Sequence, residues 1–250
     1  MECLYLQLND LPDEILLIIF KKLNNIAQLY SLFGISKRLN KILHDPNFTS
    51  HLDLLTFWLN DCIYRLPSPI LDRFCLQILP EIHNNIKWLN VESSSMTRIL
   101  LSTNYPNLYG LGLYNLEKGM TKHLFSNEIL LFHTFKNQIL SLVIHMSRDD
   151  NQSITENINT IIFTNIFNMF INLQHFNFVS SSIWYQMLSF DYSSPAFFSS
   201  NLFELHVSLD NSIDCLYLLD GRLNELRTLH VNITLITRSI LVDNKVGYFI

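Results

Sequence analysis

The chain has 250 residues, 48% hydrophobic and only 16% charged, with a formal net charge of -5. That composition provides ample core, and with no basic run longer than Lys37-Arg38 it excludes a nucleic-acid surface, which needs a basic stripe. An acid follows Met1, and the apolar run Ile15 to Phe20 falls far short of the roughly 20 residues that span a bilayer, so a soluble protein of the cytoplasm or nucleus is expected, with no membrane partner.

The first predicted helix follows Leu11-Pro12. Pro12 suits the first helical turn, where its missing N–H costs nothing. Asp13 and Glu14 complement the positive end of the helix dipole and Lys21 and Lys22 the negative end, before Asn24 or Asn25 stops it. Leu11, Ile15, Ile19 and Leu23 make one apolar stripe, widened by Leu16 and Phe20, while Leu17 and Ile18 fall on other faces. A helix that is apolar nearly all round is buried on more than one side. A second helix has Asn25 and Gln28 at capping-box spacing and Leu29, Leu32 and Phe33 as its apolar face, up to Gly34. Ser36 then caps a third helix with Leu39, Ile42 and Leu43, which ends before Asp45-Pro46. Three helices this short cannot bury such a surface alone, so part of it faces the rest of the chain or another protein.

The run Leu11 to Leu23, then Ser36-Lys37-Arg38, then Asp45-Pro46, resembles the F-box motif in order and spacing over residues 8 to 50. Leu39 stands where that family usually has Trp, and Phe48 supplies the aromatic after Asp-Pro. The resemblance implies that Leu11, Pro12, Ile15, Leu16, Ile19, Phe20 and Leu23 contact the Skp-type adaptor, and through it the cullin, of a ubiquitin ligase. An ordinary amphipathic helical hairpin packed on its own domain is the competing reading.

Farther along, Leu52-Asp53-Leu54 reads as a first strand, residues 55 to 85 as a mostly helical connector, and Ser68-Pro69 as a helix start. Six segments then share one pattern, apolar at positions 1, 4 and 6: Ile86 to Val91, Leu108 to Leu113, Ile139 to Ile144, Leu173 to Phe178, Leu202 to Val207 and Leu226 to Val231. Ser153 and Glu156 are spaced as a capping box ahead of Ile158, Ile161, Ile162, Ile166, Met169 and Phe170, which follow helical spacing. Self-similar units at irregular intervals of roughly 20 to 35 residues look like degenerate leucine-rich repeats, each giving a strand and a helix. The expected fold class is therefore mixed α/β: a three-helix F-box-like module (1–50), a helical connector (51–85) and a leucine-rich-repeat-like solenoid with parallel strands (86–250). An ordinary α/β sheet with crossover helices would also have short apolar strands. Six consecutive Leu-x-x-Leu-like strands, with no Gly-rich phosphate loop between them, favour the repeats.

Alternation along a strand puts positions 4 and 6 in the core and positions 3 and 5 on the outside. The concave face of the solenoid is then expected to bind a protein target through Trp88, Asn90, His175, Asn177, Glu204, His206, Thr228 and His230. Enzyme chemistry is not legible. The 6 glycines include no Gly-x-Gly-x-x-Gly, P-loop or Gly-x-Ser-x-Gly, and Cys3 has no recognisable His partner. The 4 cysteines are widely spaced, as buried reduced thiols would be. His175, His206 and His230 line one face with Glu204 nearby, yet their strands lie far apart in sequence, so they read as solvent-facing or hydrogen-bonded rather than as metal ligands. No cofactor is expected. The function that follows is a substrate receptor of a Skp–cullin–F-box ligase. The alternative is an interaction scaffold whose amino-terminal helices only cap the solenoid.

Overall fold

Four helices open the chain, α1 (Asp13–Phe20), α2 (Asn25–Leu32), α3 (Lys37–Leu43) and α4 (Pro46–Thr49). The computed structural model describes residues 8–57, 63–117, 134–147, 158–179, 187–190 and 197–236. Polar side chains set the helix boundaries. Asn24 caps α2, its Oδ1 accepting from the Ile26 N–H at 2.8 Å, so the expected Asn25/Gln28 box does not form. Gln28 turns inward instead. Its Nε2 donates to the Phe20 and Leu23 carbonyls at 2.6 and 2.9 Å, satisfying acceptors where the chain leaves α1. Ser36 caps α3 as expected, accepting from the Leu39 N–H at 3.1 Å. Arg38 ties α3 back to the start of α1 by donating to Asp13 Oδ1 at 2.7 Å and to the Leu11 carbonyl at 2.6 Å. The short α4, capped by Asp45, was not foreseen.

The strands are β1 (His51–Phe57), β2 (Ile63–Arg65), β3 (Trp88–Glu92), β4 (Gly110–Leu116), β5 (Ser141–Met146), β6 (His175–Val179), β7 (Glu204–Asn211) and β8 (Thr228–Leu235). They form one 8-stranded sheet in the order β2-β1-β3-β4-β5-β6-β7-β8. β2 pairs antiparallel with β1, and every other pairing is parallel. The protein is thus mixed α/β, and each of the six repeated segments enters a strand at its third position. In the connector region β1 runs on past Leu54 to Phe57 and pairs with β2, and helix occupies the rest from Ser68 to Asn85. Helix follows from α5 (Ser68–Arg73) through a π-helical turn (Phe74–Ile78) to α6 (Leu79–Ile82). The widened turn precedes Pro80, whose ring removes one N–H from the helical ladder.

Register carries the repeat through the sheet. Position 3 of each unit lies beside position 3 of the next: Trp88, Gly110, Ser141, His175, Glu204, Thr228. Positions 4 and 6 point the other way and are buried in the first five units, from Leu89 and Val91 to Leu205 and Val207. Helices α7 (Ser93–Leu100), α8 (Ile158–Met169) and α9 (Ser212–Leu218) alternate with these strands. α9 begins with a complete capping box, Asn211 with Asp214. The box read at Ser153 and Glu156 lies outside the described residues. One buried apolar cluster runs from Leu16 to Leu223, and α2 and α4 pack on β1, so amino-terminal helices and sheet share a core across residue 50. Among the described residues, no helix is long and apolar enough to cross a membrane.

Candidate protein-interaction surfaces

The structure divides the apolar residues of α1 into two faces. Leu16 and Phe20 are 0% and 1% exposed, and the Phe20 ring meets that of Phe48 edge-on at 6.2 Å. These two anchor the helix, so they are not open to an adaptor as the resemblance implied. The other implied contacts remain accessible to different degrees. Ile15 and Leu23 are 41% and 50% exposed, Pro12 is exposed, and Leu11 and Ile19 are half-buried. Ile18, which the sequence reading set on another face, is 59% exposed and follows Leu11 and Ile15 at helical spacing. An apolar stripe of Leu11, Ile15, Ile18, Ile19 and Leu23 therefore stays at the surface. Lone exposed apolar side chains are ordinary; five close together on a short helix and its flanks, three of them exposed, form a patch.

The second surface is the sheet face opposite the buried positions. All eight residues expected there, Trp88, Asn90, His175, Asn177, Glu204, His206, Thr228 and His230, occupy it in two columns set by register. β1 adds His51 and Asp53, paired with Trp88 and Asn90. The sequence reading did not name these two, although the alternation of Leu52-Asp53-Leu54 was the signal for them. At this end the side chains form a closed network. Trp88 Nε1 donates to Asn90 Oδ1 at 2.7 Å, Asn90 Nδ2 donates to Asp53 Oδ1, and the His51 ring stacks on the Trp88 indole at 5.5 Å. The glycines beside them on β4 make this possible. A Cβ on Gly110 would sit 1.9 Å from the Trp88 indole, and one on Gly112 2.0 Å from Asn90 Oδ1. Trp88 and Asn90 thus lie flat across β4 as a platform rather than standing into solvent.

The hydrogen bond from His51 holds the Asp53 carboxyl below its ordinary value; partial burial opposes this and the Asn90 hydrogen bond adds to it. A depressed carboxyl stabilises the fold above its unfolded value, about 3.9, and that share disappears as pH falls through the lower folded value. The side chain is 47% exposed, so screening keeps the effect under about 1 kcal/mol. Asp53→Asn retains the acceptor for Asn90 and loses the charge. We expect it to be less stable than the parent near neutral pH and equally stable near about pH 2, in urea titrations at both pH values. A deficit of the same size at both would assign the loss to packing.

At the other end Glu204 accepts from or pairs with three imidazoles. His206 Nε2 lies 2.7 Å from its Oε1, His230 Nε2 4.0 Å from Oε1, and His175 Nε2 4.0 Å from Oε2. The His206 hydrogen bond, followed by the charges of His206, His175 and His230, lowers the Glu204 carboxyl below its ordinary value. The outward face as a whole offers an indole, imidazoles and amides. No known protein-family model matches the chain, and no curated protein matches it.

Proposed function

We propose that this chain is a substrate-recognition subunit of a Skp–cullin–F-box type ubiquitin ligase. The observation that carries the reading is the apolar stripe of α1. Leu16 and Phe20 fix the helix to the core while Ile15, Ile18 and Leu23 are exposed for a partner, with Leu11 and Ile19 partly packed on the core at their edge. The F-box-like order of Leu-Pro, Ser-Lys-Arg and Asp-Pro makes a Skp-type adaptor that partner, and a cullin binds through it. The sheet supports the second half of the reading. From β3 to β8 its strands follow one another in chain order, each starting with position 3 of its unit beside position 3 of the next, as in leucine-rich repeats and without the strand-order reversal of doubly wound sheets. A protein target then binds the outward face between the Trp88 platform and the Glu204 histidines. The chain makes no bonds itself; it supplies proximity and orientation, and the ubiquitin chemistry belongs to other subunits.

One observation favours a second reading, a scaffold whose amino-terminal helices only cap the repeats. Those helices share the sheet's core, with α2 and α4 against β1, where a cap would sit. Co-elution separates the two. Mixed with a purified Skp-type adaptor on a sizing column, the chain is expected to elute as a one-to-one complex. Separate elution of a folded chain and adaptor at micromolar concentrations would favour the cap.

A further inference from the structure

We propose that Glu204, His206 and His230 form a binding site for a first-row divalent transition-metal ion, zinc above all. A single salt bridge needs one imidazole, and His206 at 2.7 Å already provides it. Two further rings are surplus to that bond: His230, stacked on His206 at a centroid distance of 4.1 Å, and His175 on the second carboxylate oxygen. One donor atom from each of Glu204, His206 and His230 lies within 4.8 Å of the other two. The sheet places them. Glu204 and His206 alternate onto one face of β7, and parallel pairing sets His206 directly beside His230 of β8. This register, invisible in the separation along the chain, overturns the argument that distant strands keep these histidines apart.

The donor chemistry selects the ion. Neutral imidazole with one carboxylate suits zinc, copper or nickel, whereas calcium and magnesium take oxygen ligands. Ligands of a tetrahedral zinc, each about 2.1 Å from the metal, sit about 3.4 Å from one another. The 2.7 Å contact must open and the 4.0 Å contact must close, each by well under an ångström or so of side-chain rotation. All three side chains are at least 37% exposed and lie on the outward sheet face, which leaves them room for that rotation. Three protein ligands leave a fourth position for water or for a donor from a bound partner. The site stands apart from α1, so it does not depend on adaptor docking.

The test is a zinc titration of the tag-free, metal-stripped chain against a chromophoric chelator. We expect one equivalent bound with a dissociation constant of about 1 μM or below. His206→Ala and His230→Ala should each weaken binding by about 30-fold or more and Glu204→Gln by about 10-fold. His83→Ala should change nothing, because His83 lies elsewhere on the Pro80 carbonyl. Cobalt in place of zinc should give the intense visible bands of a four-coordinate site, and His206→Gln, which keeps a polar side chain of similar reach, should lose them with an unchanged far-ultraviolet circular dichroism spectrum. No zinc bound at about 100 μM, or binding unchanged in all three ligand variants, would overturn the proposal.

Discussion

Phe163→Ala is expected to destabilise the protein by about 4 kcal/mol, the largest effect of any single truncation considered for this fold. Phe163 is fully buried on α8, and its ring lies 5.0 to 6.3 Å from those of Phe167, Phe176, Phe178, Phe190 and Phe197. Those partners come from the helix itself, from β6 and from the segments before β7, so one ring joins four stretches of chain. Truncation removes the transfer free energy of the ring and leaves a cavity that rigid aromatic neighbours cannot close. The edge-to-face pairs add to the loss. Phe163→Leu retains most of the volume and should cost about half as much. Urea denaturation measures both. A loss under about 1 kcal/mol for Phe163→Ala would mean that the rings do not form one packed cluster.

Neighbouring positions on α1 are expected to behave in opposite ways. Leu16→Ala should cost about 3 kcal/mol, because Leu16 is 0% exposed among the core residues of the helical layer. Ile15→Asp, one residue earlier and 41% exposed, should change stability by about 0.5 kcal/mol or less. The contrast matters because both residues were expected at the adaptor. If Ile15→Asp proves as damaging as Leu16→Ala, the stripe is part of the core and no docking face exists.

The strands were legible because a constraint acts on each of them alone. Positions 4 and 6 must be apolar wherever helices cover one sheet face, so Leu89 and Val91, or Phe176 and Phe178, mark their strands without help from neighbours. Leu226, Leu229 and Val231 carry the same pattern and are only half-buried, since β8 is the last strand of the described sheet. Features that depend on a neighbour were not legible. β2 is three residues long, with Tyr64 and Arg65 exposed, and it exists because β1 runs alongside. Gln28 has the spacing of a capping box, yet the end of α1 lies within reach of its amide and takes it. On α1 the sequence offers two apolar faces of similar strength, and only the position of Phe48 and the sheet decides that Leu16 and Phe20 turn inward. Alternation alone places the outward-facing residues strand by strand. The closeness of Glu204, His206 and His230 needed the register between β7 and β8.

The central claim is that the stripe of α1 is a docking surface separable from the core. It is tested most directly by calorimetric titration of a Skp-type adaptor into the chain and into an Ile15→Asp, Ile18→Asp variant. Ile18 is the better second site than Ile19, which packs partly against the core. The account predicts binding at about 1 μM or tighter by the intact chain, and a loss of about 30-fold or more in the variant, with the thermal midpoint and circular dichroism spectrum unchanged. Equal affinities for the two chains, or no heat of binding with a correctly folded parent, would contradict it.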